Sequence, residues 1–242
     1  MLGRPISYMA SNPIKEIIFS ISFAESVKLD CLQRFVEIAE IKKAFPIIRS
    51  GYNANLKATT DGKPPVTDVQ KSGYVLKCDE PSNRILQAKV GLLAFHKTKE
   101  YQSYEELIPE LDFYWEKFQT CTGQLSVTNV SLRYLNFIDV EKDEQIKDFV
   151  NIWTVSPFDA VKQIFTTLKF NIDGNQKTEA TIVVTKGKDQ GKDGIILDII
   201  LNRKIETKSF EKISDAFGNM RQEKNSIFQK CITEKTKNKY KL

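Results

Sequence analysis

Apolar residues recur at two periods along this chain, and the switches between them mark out its elements. At Ile14–Phe23 (IKEIIFSISF) the run is β-branched and follows Asn12-Pro13, which predicts a strand. From about Ser26 to Phe45 the period changes. Leu29, Leu32, Phe35, Val36 and Ala39 fall on one face of a helix that Pro46 ends. SGYNANLK reads as a short strand, before turns at Asp61-Gly62 and Pro64-Pro65. Two strands follow, Gly73–Cys78 and Ile85–His96, with the DEPSN turn between them. Tyr104, Leu107, Ile108, Leu111, Trp115 and Phe118 return to helical spacing, and Ser103 with Glu106 forms a capping box at the start.

The order then begins again. A strand at Val127–Val140 is followed by a helix near Glu144–Trp153 and a break at Ser156-Pro157. Three strands come next, Ile164–Ile172, Glu179–Thr185 and Ile195–Leu201, joined by the hairpin-forming turns DGNQK and KGKDQGKDG. A long amphipathic helix closes the chain, with Phe210, Ile213, Phe217, Met220, Ile227, Phe228 and Cys231 in its stripe. Both halves, residues 1–125 and 126–242, read β-α-β-β-β-α, which predicts an internal pseudo-repeat within one compact unit. Alternating strands and hairpin turns predict an α+β protein, with antiparallel sheets and helices packed on one face.

Several segments occur together in one order: NPIKEIIFSISF, DFYWEKF, VSLRYLNFIDV, the Leu197–Ile199 LDI and EKNSIFQKCITEKT. With them the chain resembles, over nearly its whole length, a sporadically distributed bacterial family that carries no assigned activity. The LRYLN strand and the C-terminal KN-IF-ITEKT helix are the most specific pair. The resemblance implies carriage in mobile or defence-associated gene clusters; it brings no catalytic residues.

Composition narrows the function classes. The apolar share of 41% suits a globular protein, and no apolar run approaches the roughly 20 residues of a membrane span. Polar residues interrupt the start where a signal peptide would be apolar, so the expected location is the cytoplasm. Cys31, Cys78, Cys121 and Cys231 are scattered, which predicts reduced thiols and no zinc site. The net charge is +5, and its excess is local. Residues 203–242 carry eleven basic and five acidic side chains. Arg221, Lys224, Lys230, Lys235, Lys237, Lys239, Tyr240 and Lys241 are the candidate contacts to nucleic acid or an acidic partner, against a plain solvated tail.

Catalytic signatures are missing. His96 is the single histidine and reads as a solvent-exposed strand end. No phosphate-binding glycine motif or nucleophile elbow is present, and GKDQGKDG reads as a hairpin tip. Glu141, Asp143 and Glu144 fit a solvated helix start better than a Mg²⁺ site. No cofactor or metal is expected.

Two ions stand inside apolar strands, Arg133 in VSLRYLNFIDV and Asp198 in GIILDIILNRK. Either each faces solvent, or they pair as a structural ion pair, which arginine's two-pronged grip favours. The expected function is a non-enzymatic protein-interaction protein, a component of a defence or toxin–antitoxin-like cluster whose partner is encoded nearby. A nucleic-acid-binding accessory is the alternative, and a second copy of the chain is an expected cover for exposed sheet edges.

Overall fold

A computed structural model describes residues 12–57, 66–79, 83–98, 103–141, 144–152, 165–172 and 177–242. The turns at residues 61–65, Asp143 and the Ser156-Pro157 break lie outside these residues, as do parts of the DEPSN and DGNQK turns. The elements run β1 (Ile14–Phe23), α1 (Leu29–Glu37), α2 (Ala39–Ala44), β2 (Ile47–Lys57), β3 (Val66–Lys77), β4 (Arg84–Lys89), β5 (Leu92–Thr98) and α3 (Tyr104–Thr122). Then come β6 (Val127–Asp139), a 3-10 turn at Ile146–Asp148, β7 (Phe165–Asn171), β8 (Thr178–Asp189), β9 (Lys192–Thr207), α4 (Phe210–Cys231) and α5 (Glu234–Tyr240).

The described strands form one antiparallel sheet in the order β2-β3-β4-β5-β1-β6-β9-β8-β7, with helices packed against it. This is the expected α+β class. β1 and β6 pair at its middle, so one sheet runs through both halves of the chain. Period two gives each strand a core row. Ile17, Phe19 and Ile21 of β1, Leu132 and Tyr134 of β6, and Leu197 and Ile199 of β9 are buried there. Against them lie Leu111, Trp115 and Phe118 of α3 and Ile213, Phe217 and Met220 of α4, also buried. The Phe217 ring meets Phe19 edge-on, with centroids 5.2 Å apart.

Three expectations are corrected. The strand read over Ile85–His96 is a hairpin, β4 and β5, turning at Val90-Gly91 with Lys89 opposite Leu92. The first half therefore has one strand more than β-α-β-β-β-α. The helix read over 26–45 breaks at Ile38, whose extended backbone (ψ 131°) resets the helical phase. Ile41 and Phe45 are thereby buried, while Ala39 is exposed instead of joining the stripe. The helix expected near Glu144–Trp153 is only the 3-10 turn among the described residues.

The turn in KGKDQGKDG is a two-residue hairpin tip. Gln190 and Gly191 both take positive φ (50° and 82°), as a type I′ turn requires. Ser103 caps α3, its Oγ accepting the Glu106 N–H at 3.2 Å. All four cysteines are free thiols, and Cys231 is buried.

The closing helix stops at Cys231, and the basic tail is a separate docked helix. Thr233 ends the connection, its hydroxyl donating to the Asp148 carbonyl at 2.6 Å. Thr236, fully buried, donates to the Phe149 carbonyl at 2.6 Å. Asn151 donates to the carbonyls of Lys230 and Ile232, both at 2.9 Å. The ITEKT segment thus ties the chain end to residues 148–151.

Candidate functional site

Opposite the core row, the other face of the sheet carries the alternate residues of each strand. Cross-strand register places His96, Ile18 and Arg133 side by side there, with Ile200 beyond them. Asp198 stands opposite Leu135, one step along. A polar band therefore crosses five adjacent strands: Gln87 on β4, His96 on β5, Glu16 on β1, Arg133 on β6 and Asp198 on β9.

Its members are tied to one another. Arg133 grips Asp198 side-on, Nε donating to Oδ1 at 2.9 Å and Nη2 to Oδ2 at 2.7 Å. The Asp198 side chain is 9% exposed and that of Arg133 41%, so the carboxylate is the buried partner. Desolvation of that carboxylate is offset by the two parallel charge-assisted bonds. Toward β4, His96 Nδ1 lies 2.8 Å from Glu16 Oε1, and Nε2 lies 2.8 Å from the Gln87 amide. With that amide donating, Nε2 accepts and the ring proton sits on Nδ1 toward Glu16. His96 is buried at 7% exposure, which corrects the solvent-exposed strand end expected for it. Its buried nitrogens are satisfied across strands, a pairing that no local motif announces.

Half-exposed aliphatic side chains flank the band. Ile18, Leu135, Ile196, Ile200 and Val183 all lie on this face and are neither buried nor fully exposed. Asn136, by contrast, points to the core side. It is satisfied there by donating to the carbonyls of Leu197 (3.0 Å) and Tyr134 (3.3 Å).

The basic residues of the C-terminal region are dispersed among internal partners. Arg221 pairs with Glu105 and lies over the Tyr104 ring. Lys235 pairs with Glu144 at 2.8 Å and lies over Phe149; Lys237 pairs with Glu234 at 2.6 Å. Lys239 pairs with Asp139 at 2.9 Å. Tyr240 is buried and donates to the same Asp139 carboxylate at 2.5 Å. Burial pushes the Asp139 carboxyl up, but the hydrogen bonds from Tyr240 and Lys239 outweigh it and hold the pKa below its ordinary value. Lys230 and Lys241 are exposed.

Lys224 is buried at 7% exposure, its ammonium 4.0 Å from the centre of the Tyr134 ring. Burial, with Arg221 nearby, pushes its pKa down to about 8. The two most specific sequence segments, LRYLN and KN-IF-ITEKT, therefore meet at this lysine–tyrosine contact.

Among the described residues, no group of three or more His, Cys, Asp or Glu side chains is placed to hold a metal ion. Glu144 is used locally, accepting the Glu141 N–H at 3.0 Å. Among the same residues, no helix is long and apolar enough to cross a membrane. A scan against protein-family models finds no match to this chain, and a search of curated proteins finds none either.

Proposed function

We propose that the chain is a non-enzymatic protein-interaction protein that takes its partner on the open face of the sheet. One observation carries this reading: the half-exposed aliphatic row of Ile18, Leu135, Ile196, Ile200 and Val183 beside a polar band whose members already satisfy one another. An apolar patch framed by ordered polar groups is the anatomy of a protein interface. His96, Glu16 and Asp198, which have acid–base capacity on this face, are engaged in structural bonds, which favours binding over chemistry.

The family resemblance supports a bacterial, cytoplasmic setting in a defence or toxin–antitoxin-like cluster, with the partner encoded nearby. The sheet also supports the reading of two related halves. Outward from β1 stand β5, β4, β3 and the additional β2, and outward from β6 stand β9, β8 and β7, with α3 and α4 closing the two series in the chain.

Co-purification of the tagged chain with the products of its adjacent genes tests the function. One product is expected to be retained by the wild type and lost with the Ile18→Lys/Ile200→Lys double variant. Retention of none, or equal retention by the variant, would sink the reading. Nucleic-acid binding by the C-terminal helix would have to compete with the ion pairs of Lys235, Lys237 and Lys239. It predicts filter binding that weakens when Lys230, Lys237 and Lys241 are changed to Gln. Truncation at residue 233 is the poorer test, because it also removes the α5 contacts to Phe149 and Asp139.

A further inference from the structure

On the open face, cross-strand register draws one line from β2 to β9 that places an isoleucine on every second strand: Ile47, Ile85, Ile18 and Ile200. Between them stand Lys77, His96 and Arg133. Ile47 is 38% exposed, the other three isoleucines are half-exposed, and Lys77 is exposed. Charge along this line is one-sided. The acids beside it are already engaged, Glu16 with His96, Asp198 with Arg133 and Glu179 with Lys169. Arg49, Lys77, Lys89 and Lys204 lie on the same face and make no ion pair among the described residues. The exposed acids Asp68 and Glu206 stand farther off, toward the ends of β3 and β9.

We propose that the occupant of this face is an acidic amphipathic helix of the partner protein. It lies across the strands, its apolar residues on the isoleucines and its carboxylates toward Arg49, Lys77, Lys89 and Lys204. The inference rests on the open-face reading and adds the chemistry of the partner. Charge complementarity selects an acidic segment, because a basic one would meet like charges along the line. Backbone chemistry selects a helix. The N–H and C=O groups of the strands are spent on the ladder, so the face offers an incoming chain side chains only. An extended segment would bring its own backbone groups into the contact unpaired, whereas a helix has already satisfied them. Spacing agrees with this choice. Neighbouring strands lie about 4.8 Å apart and a helix advances about 5.4 Å per turn, so successive turns fall on successive strands over the middle of the line. Nucleic acid would match the charge, but its bases stack on aromatic rings, and the line carries isoleucines in those places.

Fluorescence anisotropy of the full chain with two labelled, capped helical peptides of about 18 residues, five turns, tests this. Both carry the same leucine face, flanked by glutamate in one and by lysine in the other. The glutamate peptide should bind about tenfold tighter, and the gap should close as salt rises from about 0.05 to about 0.5 M. Arg49→Glu/Lys77→Glu/Lys89→Glu should reverse the preference. Lys212→Glu/Lys230→Glu/Lys241→Glu, on α4 and at the chain end, should leave it in place. If the first variant fails to fold, Arg49→Gln/Lys77→Gln/Lys89→Gln takes its place and should erase the preference. Ile18→Lys/Ile200→Lys should lose both peptides. Equal binding of the two peptides by the wild type, lost with the isoleucine variant, would overturn the acidic helix and leave the open-face reading standing. Binding of neither peptide would overturn it as well, with co-purification then judging the face alone. Tighter binding of a single strand of about 20 nucleotides than of the glutamate peptide, lost in the same variants, would assign the face to nucleic acid instead.

Discussion

Asp198 lies deeper in the sheet than Arg133, and that difference sets what each substitution should cost. Arg133→Met leaves a buried carboxylate without its cation. About 2–3 kcal/mol is expected, below the range of a fully buried pair because the arginine is partly solvated. Asp198→Asn leaves an arginine able to reach water, and should cost about 1 kcal/mol. The double variant should cost less than the sum. Urea unfolding of the three variants reads this directly, and a costlier Asp198→Asn would refute the assignment of the buried partner. Lys224 gives the opposite sign. Its folded pKa of about 8 lies below the ordinary 10.5, so between these values the unfolded chain holds a proton that the folded chain has released. Stability should therefore rise with pH across that window, and the full penalty applies below it. Lys224→Met should stabilise the protein at pH 7 by about 1–3 kcal/mol, the lost cation–π contact being smaller than the relieved desolvation. The gap from wild type should shrink as pH climbs toward 10.5, and a gap independent of pH would disprove the burial account. The Arg133–Asp198 ions are visible in sequence because each interrupts an apolar strand. Lys224 follows Met220 and precedes Phe228 at helical spacing, yet its charge hides that it belongs to the stripe.

At the scale of elements, the signals that were legible are those with local chemistry. Ser103 caps α3, and the Gln190-Gly191 tip sits within a turn-rich segment. The Val90-Gly91 turn lacks such a mark. Neither residue takes positive φ, and the apolar alternation of Leu86 and Ala88 resumes at once in Leu93 and Phe95. A hairpin of this kind looks like one long strand. The Ile38 break is equally silent, since it has no proline or glycine and depends on Ile41 and Phe45 finding the core. The docking of α5 depends on partners some 85–100 positions away, such as Phe149 and Asp139. Thr236→Val keeps the shape but removes the hydroxyl bond to the Phe149 carbonyl, which keeps the Thr233 N–H at 3.1 Å, so a cost of about 0.5–1.5 kcal/mol is expected. Faster amide exchange across Glu234–Tyr240 should accompany it, and unchanged exchange would show that the hydroxyl does not hold the helix. The lowered Asp139 carboxyl adds an acid limb. Its contribution is present above the ordinary 3.8 and lost as pH falls through the lower folded value. Tyr240→Phe should flatten that limb in acid unfolding, and an unaltered limb would rule out the Tyr240 contact as its source.

At the scale of the molecule, the division of the chain near residue 125 separates stretches of sequence that share a core. β1 lies between β5, from the first half, and β6, from the second. Phe19 packs against Tyr104 at 5.9 Å and against Phe217 at 5.2 Å, so one ring joins both closing helices to the central strand. Cutting between the halves would strip β1 and β6 of each other's hydrogen bonds over their whole pairing. It would also open the apolar surface between α3 and α4 to water. Local periodicity shows neither consequence, because every contact involved spans more than a hundred residues of chain. Fragments 1–125 and 126–242, expressed separately, should each lack a cooperative thermal transition and tend to associate through the exposed central strand. Mixing them should restore a single transition near that of the whole chain, since all the lost contacts lie between the two pieces. A sharp, concentration-independent transition from fragment 1–125 alone would show that its own four-strand neighbourhood of β1 suffices. The central pair would then be a contact between finished domains.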